Sequence, residues 1–254
     1  MSVLGIELFR EAMRGHEGSY ALIGGSACDL LMEAQGERFR ATKDLDVVML
    51  SQGNDAGFAA ALWAFVKRGG YEPWKSSDGT IRFYRFVKPK VPGYPHMIEL
   101  FARNPDFILA DDETAITPLP CGEDISSLSA ILLDDDYYEF ILGGLVEVGG
   151  VSTLDAVHLM PLKMRAHIDL AARHAAGQHI NGADLKKHRK DVFRLLVLTS
   201  AEERVELVEK LAKDVARFID AAREPDFRID QLAIGMGLDE AIAMLKEIYG
   251  IEES

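Results

Sequence analysis

Residues 40–49 read RATKDLDVVM, and this stretch predicts a strand that begins with two carboxylates, Asp44 and Asp46. Because residues two apart on a strand point to the same face, these acids project side by side, while Leu45 and Val47 point to the opposite face and the core. Two neighbouring carboxylates repel each other unless they share a proton or a cation lies between them. The stretch is therefore either a solvated strand end or a site for a hard cation such as Mg²⁺.

The preceding residues have the composition of an anion-binding turn. Residues 22–27 read LIGGSA, which predicts an apolar strand, a glycine pair and a helix that Ser26 caps. Gly24 and Gly25 let the backbone approach a phosphate closely, and a helix N-terminus offers N–H groups to an anion. A glycine pair also ends many ordinary strands, so the turn gains meaning only beside the two aspartates.

A third acid interrupts a later apolar run. Residues 96–102 read HMIELFA, and Glu99 is the one acid in this predicted strand. A glutamate among apolar residues is costly unless it is paired, protonated or bound to a metal. If the strand lies beside the aspartate strand, Glu99 joins Asp44 and Asp46 at one cation. Otherwise it lies in water at a strand edge.

The rest of the pattern divides the chain into two parts. Strands and helices alternate over residues 1–156, with further predicted strands in LSAILLD (128–134) and YYEFILGGLVEV (137–148). Helical periodicity dominates residues 157–254. We therefore predict an α+β protein in which a mixed β-sheet with flanking helices forms the first domain and a helical bundle forms the second.

Composition narrows the class of protein. A hydrophobic share of 48% in 254 residues is sufficient for a folded core. No apolar run approaches the roughly 20 residues that span a bilayer, and the N-terminus lacks the pattern of a signal peptide. The two cysteines, Cys28 and Cys121, suggest reduced thiols. We expect a cytoplasmic protein with no membrane partner.

Charge is unevenly distributed. The formal net charge is -13, which opposes binding to nucleic acid through bulk electrostatics. Residues 160–194 differ, because eight Lys and Arg face three Asp there, a local charge of +5. This basic segment is either a solvated helix face or a local anion site.

These motifs resemble the nucleotidyltransferase superfamily typified by DNA polymerase beta. Its pattern is an apolar strand, Gly followed by Gly or Ser, a helix, and then Asp-x-Asp in a strand, which LIGGSA and DLDVV match. FRATKDLDVVM (39–49) looks like the bacterial branch related to the AbiEii toxins, where an arginine, a Thr or Ser and Asp-Leu-Asp are common. LMPLKMRAHIDLAARH (159–174) and DLKKHRKDVFRLL (184–196) are similar to that branch's helical signature. The resemblance covers roughly residues 18–200.

The resemblance implies Mg²⁺-dependent transfer of a nucleoside monophosphate from a nucleoside triphosphate to an acceptor hydroxyl. Asp44 and Asp46 would bind two Mg²⁺ ions. Glu99 would bind the ion next to the acceptor and help to take its proton. The acceptor hydroxyl would attack the α-phosphate in line, and pyrophosphate would leave.

The same resemblance assigns the triphosphate-binding residues. Gly24, Gly25 and Ser26 would hold the β- and γ-phosphates, and Lys163 would reach the triphosphate. Lys163 is equally a candidate helix-surface lysine. We expect Asp191 to have a structural role, pairing with Lys163 or Arg165 to fix two helices.

Three functions stay open at this point. The first is a nucleotidyltransferase that acts on RNA, such as tRNA, as the toxin of a toxin–antitoxin pair with an antitoxin protein as partner. The second is a nucleotidyltransferase for a small molecule of the aminoglycoside type, since an acidic cleft suits a polycation. The third is a nucleotide-binding module that has lost catalysis, which the presence of all three acids argues against.

Overall fold

The computed structural model describes residues 3–50, 56–75, 81–101, 134–200, 202–223 and 227–252. The strand predicted at 128–134, apart from Asp134, and Cys121 lie outside these ranges. The described residues fall into two compact units. One is drawn from Met1–Asp124 and Leu145–Leu154, and the other from Ile125–Gly144 and Asp155–Ser254.

The first unit is built on a mixed sheet of seven strands within the described residues. In chain order these are β1 (Tyr20–Ile23), β2 (Asp44–Met49), β3 (Glu72–Lys75), β4 (Ile81–Val87), β5 (Met97–Phe101), β6 (Leu145–Val148) and β7 (Val151–Leu154). Their spatial order is β3-β4-β5-β2-β1-β7-β6. The pairs β2–β5 and β1–β7 run parallel, and the other neighbouring pairs run antiparallel. The predicted α+β class with a mixed sheet is confirmed.

Eight helices accompany the sheet in the described ranges. The first unit contains α1 (Ile6–Ala12), α2 (Gly24–Ala34) and α3 (Ala56–Gly69). The second unit contains α4 (Asp135–Gly143), α5 (Ala156–Ala175), α6 (Gly182–Leu196), α7 (Glu209–Ala222) and α8 (Leu238–Tyr249). None of the helices in the described part of the chain has both the length and the apolar character needed to cross a membrane.

The core of the first unit lies on one face of the central strands. Leu45 and Val47 of β2 are fully buried, and they share one apolar cluster with Phe9 of α1 and Phe58 and Phe65 of α3. The alternation along β2 therefore places its odd-numbered residues in the core. Its first even-numbered residues, the two aspartates, lie on the opposite face and are partly exposed.

The prediction of a strand over residues 137–148 is wrong for its first part, which belongs to helix α4. Asp134 caps this helix by accepting hydrogen bonds from the backbone N–H groups of Asp136 and Tyr137. Two further acids in the first turn favour the helix through its dipole. The N-terminal cap therefore outweighs the β-strand propensity of the apolar residues in this stretch, and β6 begins only at Leu145.

A buried carboxylate ties three helices of the second unit together. Asp214 of α7 is buried and accepts a hydrogen bond of 3.0 Å from the Tyr137 hydroxyl of α4. Arg165 of α5 donates to both of its oxygens at 3.1 and 2.9 Å. Burial and the Asp214 charge both raise the pKa of Tyr137, so the phenol stays protonated and acts as a donor.

Phe9 and Leu8 provide a matched test of the core in the first unit. Phe9 is fully buried, and its ring packs edge-on against Tyr20 at 5.3 Å and Phe65 at 5.6 Å between centroids. We expect Phe9→Ala to lower the free energy of unfolding by about 3–5 kcal/mol. Leu8, next to it on α1, is 41% exposed, so Leu8→Ala should change stability by no more than about 0.5–1 kcal/mol. Urea unfolding of both variants measures the difference, and equal losses would contradict the assigned core.

Candidate functional site

The parallel pairing of β2 with β5 brings the predicted acids onto one face of the sheet. Asp44 is paired with Met97, and Asp46 is paired with Glu99. Residues directly opposite each other on neighbouring strands have side chains on the same face, with Cβ atoms about 4.5–5.5 Å apart. Of the two alternatives for the strand that carries Glu99, the structure therefore has the one in which it lies beside the aspartate strand.

Asp46 also lies against the start of α2. It is paired with Ile23, the last residue of β1, and Gly24 follows directly. Gly24 has φ +70°, and a Cβ built there would overlap Oδ2 of Asp46 and lie 2.7 Å from its Cγ. Only glycine combines this backbone conformation with this close approach. The Asp46 carboxylate is thus in contact with the first turn of a helix.

The prediction that Ser26 caps this helix is wrong. Helix α2 begins at Gly24 with Ile23 at the cap position, because the positive φ of Gly24 allows the chain to turn directly from strand into helix. Ser26 is fully buried, and its hydroxyl donates to the Ile23 carbonyl at 3.1 Å. The N-cap residue Ile23 has no polar side chain to cap the first turn, and the backbone N–H groups of that turn, including those of Gly25 and Ser26, are donors of the kind that binds phosphate.

The loop before β2 packs on the same turn. A Cβ built at Gly25 would lie 3.0 Å from Nη2 of Arg40 and 3.2 Å from Oγ1 of Thr42. Thr42 is buried and donates its hydroxyl to the Arg40 carbonyl at 3.4 Å, so it has the role of a loop hydrogen-bond donor. The Arg40 guanidinium, 5.1 Å from the centroid of the Phe39 ring, adds a positive charge beside the helix start.

Glu99 is paired with an arginine that the sequence reasoning missed. Arg85 of β4 is the antiparallel partner of Glu99, and its Nε donates to Glu99 Oε1 at 2.6 Å. Its Nη2 contacts the same oxygen. The side chains are 29% and 15% exposed. Of the alternatives for this acid, the structure therefore shows a salt bridge. The available signal was an arginine within the strand run IRFYRFV (81–87).

Tyr71 lies near Asp44, at the end of the site where β5 begins. Its hydroxyl donates to the Pro95 carbonyl at 2.6 Å, two residues before β5 begins. Burial, then the neighbouring Tyr94 and then the charge of Asp44, raise the pKa of Tyr71. The phenol is therefore protonated at neutral pH and holds the loop that leads into β5.

The donor set fits a divalent cation through two carboxylates. Asp44 and Asp46 offer hard oxygen ligands from one strand face, and Mg²⁺ is commonly held by one or two carboxylates together with phosphate oxygens and water. In the described residues, no group of three or more His, Cys, Asp and Glu side chains is arranged to hold a metal ion. Glu99, which lies opposite Asp46 in the register, is bound by Arg85.

Lys163 belongs to the second unit and is buried there. It is 2% exposed, and its ammonium donates to Oδ2 of the fully buried Asp191 at 3.4 Å. Arg194 lies 3.8 Å from the other oxygen of Asp191. Asp191 was predicted to pair with Lys163 or Arg165 and to join two helices; it pairs with Lys163 and joins α5 and α6, whereas Arg165 binds Asp214. A role for Lys163 in triphosphate binding stays a prediction, and it requires the buried ammonium to give up or share Asp191.

Comparison with solved structures shows a distant likeness. The chain is similar to a solved structure described as an antigenic nucleotidyltransferase-like protein from Paracoccidioides brasiliensis, at 15% identity and a TM-score of 0.47, with 94% of this chain and 90% of that chain covered. No family model and no curated protein matches the sequence. At this similarity, function rests on the side chains of this chain alone.

Gly24 and Gly36 provide a matched test of the Asp46 contact. Both have positive φ, +70° and +78°, but an added Cβ at Gly36 meets nothing within 4 Å. Gly36→Ala should cost about 1–2 kcal/mol of stability for the left-handed backbone alone. Gly24→Ala should cost more, by about 1–3 kcal/mol, because the Asp46 carboxylate must also move. Denaturant unfolding measures both, and equal costs would exclude the contact.

Lys163→Met tests the buried ion pair. Removing the ammonium leaves Asp191 charged and buried, which should cost about 3–5 kcal/mol. The double variant Lys163→Met, Asp191→Leu removes both charges and should recover most of that loss. Lys186→Met, at an exposed position of α6, is the control and should stay within about 0.5 kcal/mol of the wild type. A neutral Lys163→Met would show that the pair does not hold the helices.

Proposed function

We propose that this chain is a metal-dependent nucleotidyltransferase that moves a nucleoside monophosphate from a nucleoside triphosphate to an acceptor hydroxyl. The observation that carries the proposal is the contact of the Asp46 carboxylate with Gly24 at the first turn of α2. It joins a carboxylate face suited to a divalent cation with a helix start suited to phosphate. Asp44 and Glu99 lie on the same strand face, as the register of β2 and β5 supports.

Each residue has a separate task in this proposal. The backbone N–H groups of Gly24, Gly25 and Ser26 bind the β- and γ-phosphates, and the Arg40 guanidinium adds charge beside them. Asp44 and Asp46 would hold the divalent cation. Mg²⁺, when bound there, supplies Lewis-acid stabilisation of the attacking and leaving oxygens.

Glu99 takes the proton in the proposed reaction. The acceptor hydroxyl loses its proton to the Glu99 carboxylate as its oxygen bonds to the α-phosphorus, and the bond from that phosphorus to the pyrophosphate oxygen breaks. The protein forms no covalent bond to the substrate, so catalysis comes from positioning and charge neutralisation.

The acceptor that we favour is RNA, tRNA in particular, with the chain acting as an AbiEii-like toxin held by an antitoxin protein in the cytoplasm. Support comes from the basic segment 160–194, although some of its positive side chains are buried or paired with acids of the same unit. Lys163 and Arg189 are buried, and Arg165 is bound to Asp214. Lys186 of α6 is exposed and adds positive charge to the surface of this segment, which favours contact with a phosphate backbone.

Two other functions compete with this one. A small polycationic acceptor of the aminoglycoside type is favoured by the net charge of -13. A module that binds nucleotides without catalysis is favoured by the salt bridges that already neutralise Glu99 and Lys163. Incubation with each α-labelled nucleoside triphosphate, Mg²⁺ and either total tRNA or an aminoglycoside panel separates the three, because only the first two transfer label, each to a different acceptor.

Asp46→Asn should abolish transfer without unfolding the chain. The change removes an anionic oxygen from the cation site, so we expect a loss of about 10²–10³-fold or more in turnover. Because repulsion between Asp44 and Asp46 falls, apo stability should stay equal or rise. Asp220→Asn, at an exposed position of α7, is the charge-matched control and should keep full activity. Transfer assays with melting curves measure both effects, and an active Asp46→Asn enzyme would refute the mechanism.

A further inference from the structure

A row of charged side chains crosses the sheet at the level of Glu99. The register aligns Arg85 of β4, Glu99 of β5 and Asp46 of β2 on one face. Glu99 thus has a cation on one neighbouring strand and a carboxylate on the other. We propose that Arg85 is a positioning residue that competes with a bound divalent cation for Glu99. This proposal rests on the cation site of the proposed function.

Electrostatics decide which neighbour Glu99 turns to. With no cation present, attraction to Arg85 and repulsion from Asp46 move the carboxylate in the same direction, and the structure has it there. A divalent cation at Asp44 and Asp46 cancels their two negative charges, so the repulsion of Glu99 is lost and the cation itself becomes a competing partner for the Glu99 carboxylate. Cross-strand Cβ distances of about 4.5–5.5 Å place both positions within reach of one glutamate side chain. Only side-chain rotation is required, because the strands hold Glu99 between its two partners.

The salt bridge has the properties of an exchangeable contact. Nε and Nη2 of Arg85 both contact Oε1 of Glu99, so Oε2 is not part of this contact. The Arg85 side chain is 29% exposed and can be hydrated when Glu99 leaves. The fully buried Asp191, by contrast, is a partner that could not be given up at small cost. Arg85 therefore neutralises Glu99 in the absence of the cation and lowers the affinity for the cation by the strength of this contact.

Removing Arg85 should consequently strengthen cation binding. In Arg85→Gln, Glu99 has no partner to leave and is available as a third carboxylate ligand. We expect the Mg²⁺ or Mn²⁺ concentration at half-saturation to fall about tenfold, which corresponds to about 1.4 kcal/mol. The apo variant should melt at a lower temperature than the wild type, because the ion pair of Glu99 with Arg85 is lost while the repulsion between Glu99 and Asp46 remains.

The test is a double-mutant cycle measured by binding and not by activity. Wild type, Arg85→Gln, Glu99→Gln and the double variant are titrated with Mg²⁺ and with Mn²⁺, and the rise in melting temperature gives the half-saturation point. The tenfold gain should appear with Glu99 present and should vanish in the Glu99→Gln background. Arg85→Lys keeps the charge at the same place and should fall between wild type and Arg85→Gln, which also tests the idea if the glutamine variant folds poorly.

Arg10→Gln is the matched control. Arg10 lies in the same unit, its side chain is 33% exposed, and it pairs with Glu7 on the same helix. Removing this positive charge should leave the half-saturation point unchanged. An equal gain in Arg10→Gln, or a gain by Arg85→Gln that persists without Glu99, would indicate general electrostatics and overturn the proposal.

The remaining outcomes separate the two levels of inference. Wild-type protein that binds the cations, with binding unchanged or weaker in Arg85→Gln, overturns the role of Arg85 and leaves the proposed function standing. If neither wild type nor Arg85→Gln responds to Mg²⁺ or Mn²⁺, the cation site itself is refuted, and the proposed function fails with it. Binding by Arg85→Gln alone supports the competition, because it shows a site that the arginine blocks.

Discussion

The close contact between Asp46 and Gly24 is the constraint on which the arrangement of the first unit depends. Asp46 is fixed by pairing on both sides, with Ile23 of β1 and with Glu99 of β5. The residue that follows β1 therefore lies directly against the Asp46 carboxylate, and only glycine fits there, because a Cβ atom would overlap the carboxylate oxygen. Because Gly24 turns directly into α2, the same contact sets where the helix starts and which backbone N–H groups face the acids.

Local periodicity explains what the sequence could predict. The alternation of Leu45 and Val47 with two aspartates reveals both the strand and its faces, because burial on one face and charge on the other leave a period-two signal. In the same way, the apolar run 96–102 with its single acid predicts the strand that carries Glu99. The α+β class follows from the change of period near residue 157. These features depend on residues that are close together in the sequence, so the sequence pattern is sufficient to predict them.

What could not be predicted depends on partners that are distant in the sequence or on backbone geometry. The pairing of Glu99 with Arg85 needs the register of two strands, which periodicity does not fix. The start of α2 at Gly24 depends on a positive φ that the residue type permits but does not demand. Residues 137–143 have the composition of a strand, and an aspartate cap with two more acids decides for a helix. Lys163 is buried because α5 packs against α6. The sequence pattern of one helix alone does not show which of its lysines will pair with a buried acid on another helix.

The path of the chain through the sheet has a consequence for biosynthesis. The central strand β1 is flanked by β7, and the Thr153 hydroxyl donates to the Leu22 carbonyl across 131 residues of sequence. At translation rates of about 5–20 residues per second, roughly 7–26 s separate the emergence of these two strands. During that interval one edge of β1 lacks its final neighbour and is open to pairing with another nascent chain. The hairpin that completes the sheet is also bounded on both sides by segments of the second unit, so neither unit can be inherited or expressed as one contiguous piece.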